Sequence, residues 1–229
     1  MDHPNIAKVL DGGLHEHRPY FVMELVKGVP ITDYCDKCKL TPKERLELFV
    51  PVCQAIQHAH QKGIIHRDIK PSNVLIAMYD DKPVVKVIDF GLAKSTARSK
   101  HTMPSTVLGK LGYMSPEQAQ GEVVDHRSDI SSAGIVIWEL IAGRPLFQGG
   151  TVGEMVAQMA FPKPMPLRGI RPEVSEALER TVMRALVADP SGRYNRCDDF
   201  ARALNELSVR ENTSVGSEYV GSYVRSMCP

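Results

Sequence analysis

Between Thr41 and Gly63 this sequence carries a long helix whose two ends are both marked, and the residues after it change period. Thr41, Pro42, Lys43 and Glu44 form a capping box with proline at the first helical position. Leu46, Phe49, Val52, Cys53, Ile56 and Ala59 then recur at spacings of three and four. Pro51 lies inside the run, where it deletes a backbone bond and crowds the carbonyl of Glu47, so a kink is expected. Past Gly63 the pattern breaks into short β-like pieces, Val74 to Ala77 and Val84 to Ile88, separated by the turn residues Asp80, Asp81, Lys82 and Pro83. Ahead of the helix, two apolar runs, Ile6 to Leu10 and Tyr20 to Val26, read as a β-hairpin, with Gly12 and Gly13 expected between its strands. The second half reads as helices near 128–142, closed by Gly143, near 151–160, near 173–187 and near 197–207. From Ser208 onward no period remains, and the residues read as a polar tail. Strands gathered early and helices gathered late describe an α+β chain.

With 229 residues, 43% of them hydrophobic, the chain is long enough to bury a sizeable core and is not disordered. A net charge of +1 argues against nucleic-acid or membrane-surface partners held by a basic face. Met1 to Gly13 lacks a basic start followed by an apolar stretch, and no window approaches the roughly 18 apolar residues of a spanning helix. A soluble, cytoplasmic chain is the expectation. Five scattered Cys fit a reducing compartment better than a disulfide framework. Cys35 and Cys38 form a lone C-x-x-C, with no second pair for zinc; it reads as two thiols on a short helix.

Two polar clusters interrupt the apolar pattern where β pieces meet loops. The first is HRDIKPSN, His66 to Asn73; the second is Asp89, Phe90 and Gly91. Two acids and an amide at strand ends can hold a hard cation through oxygen, and Lys70 beside them can meet an anion. That is equipment for magnesium-dependent phosphoryl transfer. Either triplet alone is an ordinary loop composition.

In this order, with a strand pair between them, the clusters resemble the catalytic and metal-binding loops of protein kinases. HPNI at His3 to Ile6, FVMELV at Phe21 to Val26, SPE at Ser115 to Glu117, RSD at Arg127 to Asp129 and DPSGRY at Asp189 to Tyr194 each resemble a further stretch of that family. The resemblance runs from about residue 3 to 207 and is nearest to bacterial eukaryotic-like serine/threonine kinases. It implies a kinase-like α+β fold, mainly the helical large lobe. Residues 1–28 would be a small-lobe remnant ending in the hinge, 29–207 the large lobe, and 208–229 the tail.

Carried over by resemblance, Asp68 would accept the proton of a protein Ser/Thr hydroxyl, Lys70 would contact the transferring phosphate, and Asn73 and Asp89 would hold Mg2+ beside ATP. Met23 would guard the back of the adenine pocket, Glu24 and Val26 would offer backbone bonds to adenine, and Leu75 would form its floor. His66, Phe90 and Gly91 would pack rather than react, with Asp129 beneath them. Glu117 and Arg193 would form a buried ion pair. Arg67 would receive a phosphorylated activation segment, with Thr102, Ser105 or Thr106 as the modified residue. A protein substrate is the implied partner, and a kinase dimer is one assembly the resemblance allows.

The sequence also departs from the family. No G-x-G-x-x-G occurs in it, and Lys8 follows HPNI, past the place of the family's nucleotide-binding lysine and helix-C glutamate. The chain is therefore expected to be truncated at its N-terminus and impaired in transfer on its own. Lys110 stands where a threonine hydroxyl normally bridges Asp68 and Lys70; its ammonium could pair with Asp68 or point to solvent. Ser131 and Ala133 replace a larger Tyr and Leu, which would loosen the central helix if both are buried. Three readings stay open: a fragment of a longer signalling kinase, a noncatalytic kinase-like interaction module, and a decayed product that does not fold stably.

Overall fold

A computed structural model describes residues 2–16, 18–90 and 112–209 of the chain. The elements follow in the order β1 (Val9–His15), β2 (Arg18–Met23), β3 (Gly28–Pro30), α1 (Ile31–Lys37), α2 (Pro42–His60), β4 (Val74–Tyr79) and β5 (Lys82–Val87). After them come α3 (Pro116–Gln120), α4 (Arg127–Ala142), α5 (Val152–Ala160), α6 (Glu176–Ala185) and α7 (197–209).

The core is built around α4. Every residue of this helix after Arg127 is buried, the pattern of a helix enclosed on all sides by protein. Its end is set by Gly143, which takes φ +71, a conformation that only glycine adopts without strain. Gly134 admits α6 closely: a Cβ there would sit 2.9 Å from the Ala185 Cβ. Leu46, Phe49, Val52, Cys53 and Ile56 of α2 join Ile130, Val136, Ile137 and Trp138 of α4 in one cluster with Phe200 and Leu204 of α7. The capping box of α2 forms as its sequence predicts: Glu44 N donates to the Thr41 hydroxyl and Thr41 N donates to the Glu44 carboxylate. Pro51 does not end α2, which runs from Pro42 to His60.

Arg45 looks out of place on the apolar face of α2, yet it is buried. Its guanidinium donates to Leu40 O (3.0 Å), Leu140 O (2.8 Å) and Cys35 O (3.2 Å) and pairs with Asp36 at 2.8 Å. These bonds tie α1, α2 and the end of α4 together and satisfy a charge that would otherwise be costly to bury.

Strands β3, β4 and β5 form an antiparallel sheet with β4 in the middle. The β4–β5 turn is Asp80 and Asp81, both at positive φ, the geometry of a two-residue hairpin turn. Val74, Ile76, Val85 and Val87 of this sheet face the helical core. β1 and β2 pair separately, from Val9 opposite Met23 to His15 opposite Arg18.

Two expectations need correction, and one short element is new. Gly12 and Gly13 lie within β1, opposite Phe21 and Tyr20, because cross-strand pairing outweighs their weak strand preference. The last helix continues past 207 to 209, since Leu207 and Ser208 still face the core and the Ser208 hydroxyl meets Glu47 at 3.3 Å. The short helix α3 was not foreseen, although Ser115 and Gln118 form its capping box. Cys35 and Cys38 do lie on and just after a short helix; Cys35 is buried, and both are free thiols. No helix among the described residues is long and apolar enough to cross a membrane.

Candidate active site

The loop between α2 and β4 is held from below by one carboxylate. Asp129, in the first turn of α4 and fully buried, accepts the backbone N–H of Arg67 on Oδ1 (2.7 Å) and that of His66 on Oδ2 (2.8 Å). His60 Nε2 lies 2.7 Å from the same Oδ2. Arg67, pinned in this way, adopts φ +64, and Asp89 adopts φ +58, both uncommon for residues other than glycine. Changing Asp129 to Ala is expected to leave two buried backbone donors unpaired, at about 1–3 kcal/mol each. The measurement is amide exchange at His66 and Arg67, which should lose protection before the residues of α4 do.

His66 ties the two clusters together. Burial pushes its imidazole below the ordinary range, against the raising effect of Asp129 and Asp68, so the ring is neutral. Its Nε2–H donates to Ile88 O at 2.9 Å, while Nδ1 accepts Asp68 N at 3.3 Å. The ring lies 4.5 Å from that of Phe90. Asn73 O accepts the Ile88 N–H at 2.9 Å, a second bridge between the loops.

Asp68, Lys70 and Asn73 converge. Lys70 Nζ lies 2.6 Å from Asp68 Oδ2, and the Asn73 amide donates to Asp68 O at 2.8 Å and to Oδ2 at 3.2 Å. Asp68 keeps about a quarter of its side chain open to solvent, whereas Lys70 keeps a tenth. Asn73 turns its Nδ2 toward Asp68, which leaves Oδ1 as the acceptor end, and the exposed Asp89 comes two residues after the end of β5. One amide oxygen and one carboxylate suit Mg2+, a hard cation that keeps several water or phosphate oxygens of its own.

Met23 and Val26 are half-buried on either side of the exposed Leu25, and Leu75 is half-buried on β4. The Glu24 side chain does something the sequence did not signal. It takes Lys86 Nζ at 3.0 Å, Tyr79 OH at 3.4 Å and the Lys8 backbone N–H at 3.1 Å, so the residue is anchored to β4 and β5. The hydrogen bonds from Lys86 and Lys8 hold its carboxyl below the usual range, against a small opposing effect of burial.

Glu117 and Arg193, 76 residues apart, meet through two bonds of 2.8 Å with both side chains nearly or fully buried. Burial alone would raise the Glu117 carboxyl, but hydrogen bonds from Arg193 and Ser128 outweigh it and hold it below the usual range. From α3, Gln118 Nε2 donates to Arg67 O at 3.0 Å and so reaches the loop itself. Ser131 and Ala133 are both buried. Ser131 lines a cavity of about 10 Å³ with Ile135, Met159 and Leu186, too small for more than one water. Gly91, Thr102, Ser105, Thr106 and Lys110 lie outside the described residues.

A helical body around a buried central helix, carrying an acid–lysine–amide loop and an Asp-Phe turn on the edge of a small sheet, is the architecture that the protein kinase domain matches over residues 1–206, and the chain belongs to that family. Within the family it is similar to bacterial serine/threonine-protein kinases. PknB of Mycobacterium tuberculosis strain H37Rv is 39% identical over 211 residues, covering 89% of this chain and 33% of PknB. PrkC of Bacillus subtilis strain 168 is 37% identical over 201 residues, covering 87% of this chain and 31% of PrkC. A probable serine/threonine-protein kinase of Streptomyces coelicolor is 36% identical over 234 residues, covering 97% of this chain and 34% of its own length. The chain spans about a third of the length of these curated relatives.

Proposed function

We propose that this chain carries the catalytic half of a serine/threonine protein kinase, transferring the γ-phosphoryl group of ATP to a Ser or Thr hydroxyl of a protein. The observation that carries the reading is the convergence of Lys70 and Asn73 on Asp68, on a loop anchored through Asp129. Asp68 orients the incoming hydroxyl and takes its proton as the oxygen attacks phosphorus. Lys70 sets a cation beside the transferring phosphate, and Asn73 holds the Asp68 carboxylate in position. Asn73 and Asp89 would hold Mg2+, which when bound neutralises charge on the phosphate oxygens. Met23, Glu24, Val26 and Leu75 would contact adenine. Little covalent chemistry is needed from the protein, because positioning and charge supply most of the rate. A cytoplasmic location and a protein substrate are part of this proposal.

The 229 residues contain no G-x-G-x-x-G to cover the β and γ phosphates. Nucleotide affinity is therefore expected to rest on adenine and the metal. Titrating ATP into the protein by calorimetry with and without Mg2+ tests the assignment. Binding should be weak and strengthened by Mg2+, and Asp89→Ala should remove the metal dependence while leaving adenine binding. Metal dependence unchanged in Asp89→Ala would remove Asp89 from the site.

A noncatalytic, partner-binding role is the second reading. It is favoured by the hairpin, whose two faces both expose large apolar side chains: Leu14 and Phe21 on one, Tyr20 and Val22 on the other.

A further inference from the structure

Residues 3–7 strap the β1–β2 hairpin to the rest of the protein. Val87 N donates to Asn5 O at 2.8 Å, Ala7 N donates to Val87 O at 3.0 Å, and Asn5 Nδ2 donates to Val85 O at 2.9 Å. Ile6 is buried in the core between them. His3 opens the strap, and its ring lies 5.0 Å from that of His58 on α2. The Asn5 backbone N–H donates to His3 Nδ1 at 3.1 Å, which requires that nitrogen to be bare. A neutral His3 therefore carries its proton on Nε2. On the other side of the contact, His58 Nε2 is buried without a partner.

We propose that the His3–His58 contact is an acid-sensitive catch, closed when His3 is neutral and released when its ring takes up a proton. A proton on His3 Nδ1 faces the Asn5 N–H, donor against donor, and the bond that closes the strap is lost. A charge on one ring also opposes a charge on the other.

Among the described residues, the carboxylates lining the cleft around His3 are already paired. His3 lines a cleft of about 470 Å³ with Asp2, Pro4, Lys8, Tyr79 and Lys86. Asp2 is paired with Lys8 at 3.4 Å, and Lys86 of β5 is paired with Glu24 at 3.0 Å. Tyr79 of β4 donates to the same Glu24. Along the chain from α2, Lys62 stands four residues beyond His58 and adds positive charge. Burial, with a smaller effect of His58, holds the His3 imidazole below its ordinary value of 6.5. The sign follows: the folded state holds this proton less readily than the unfolded chain. The contribution of the catch is complete above about pH 6.5 and is lost as pH falls through the lower folded value. Because β2 leads directly to Met23 and Glu24, releasing the strap would loosen the segment proposed to meet adenine. The measurement below reads the strap itself and is independent of that assignment.

Amide exchange of the whole chain, corrected for intrinsic rates, is followed from about pH 7.5 to about pH 5, the range in which histidine titrates. Protection at Asn5, Ala7 and Val87 is expected to fall about three- to tenfold relative to Ile135 and Trp138 of α4, the size of one lost hydrogen bond. In the double variant His3→Gln with His58→Phe, which keeps an acceptor for Asn5 and removes both imidazoles, the ratio should stay flat. A ratio that stays flat in the unaltered protein, or a decline that persists in the double variant, would overturn the proposal. Imidazole nitrogen NMR on the unaltered protein tests it without any substitution. Nδ1 of His3 should show the shift of an unprotonated acceptor at neutral pH, and a proton found on Nδ1 there would equally overturn it.

Discussion

Replacing Arg193 with methionine is expected to lower the unfolding free energy by about 3–5 kcal/mol, the cost of removing one partner from a buried ion pair. All five guanidinium N–H groups are in use. Nε donates to Val187 O, Nη1 to Glu117 Oε1 and Arg127 O, and Nη2 to Glu117 Oε2 and Ala188 O, at 2.7–3.1 Å. Methionine fills part of the volume but leaves the Glu117 carboxylate buried with Ser128 as its remaining side-chain donor and three main-chain carbonyls without their partner. The consequence is not confined to the pair. Glu117 belongs to α3, whose Gln118 reaches the Arg67 carbonyl, so loss of Arg193 loosens the catalytic loop from below. Arg193→Lys should fall between, since an ammonium has three donors and cannot reproduce the planar fork. Urea unfolding at neutral pH gives the comparison. An Arg193→Met midpoint within about 0.5 kcal/mol of the parent, the range of an ordinary surface change, would mean that the pair is not buried as described.

Much of this architecture can be read from local chemistry. The capping box at Thr41, the glycine stop at Gly143 and the three-and-four spacing of α2 act within a few residues of themselves, so α2 and α4 stand close to where the pattern places them. Of the turn expected at Asp80 to Pro83, Asp80 and Asp81 form it, while Lys82 and Pro83 already pair in β5. What escapes is set by distant partners. Arg45 reads as a solvated basic residue until Leu140 O, 95 residues away, accepts its proton. The glycines of β1 read as a turn until β2 pairs with them. Glu24 suggests only a backbone role, because nothing near it announces Lys86, 62 residues on. His60 shows the same limit: its place on α2 is periodic, but its contact with Asp129 depends on how α2 crosses α4. For the site, the residue types in His66 to Asn73 indicate metal-assisted phosphate chemistry, whereas the Glu117–Arg193 pair, 76 residues apart, came only from family resemblance.

The largest functional effect is expected from Asp68. Asp68→Asn keeps the shape of the side chain and an acceptor for Lys70 but removes the carboxylate proposed to take the hydroxyl proton. General-base assistance of this kind is worth about 100- to 10,000-fold in rate. The substitution leaves Asp129 and its three contacts in place, so stability should change little while transfer collapses. An Asn73→Ala variant should be intermediate, because it removes one donor to Asp68 and one metal ligand without removing the base.

The most direct measurement is phosphate transfer from radiolabelled ATP with Mg2+ to a Ser/Thr protein substrate. It compares residues 1–229 alone with the same residues joined to a kinase small lobe that carries G-x-G-x-x-G, each with and without Asp68→Asn. The account predicts slow or undetectable transfer from residues 1–229 and clear transfer from the joined protein, with the latter falling about 100- to 10,000-fold in Asp68→Asn. Transfer by the joined protein that survives Asp68→Asn, or no transfer from a joined protein that folds and binds Mg-ATP, would contradict it.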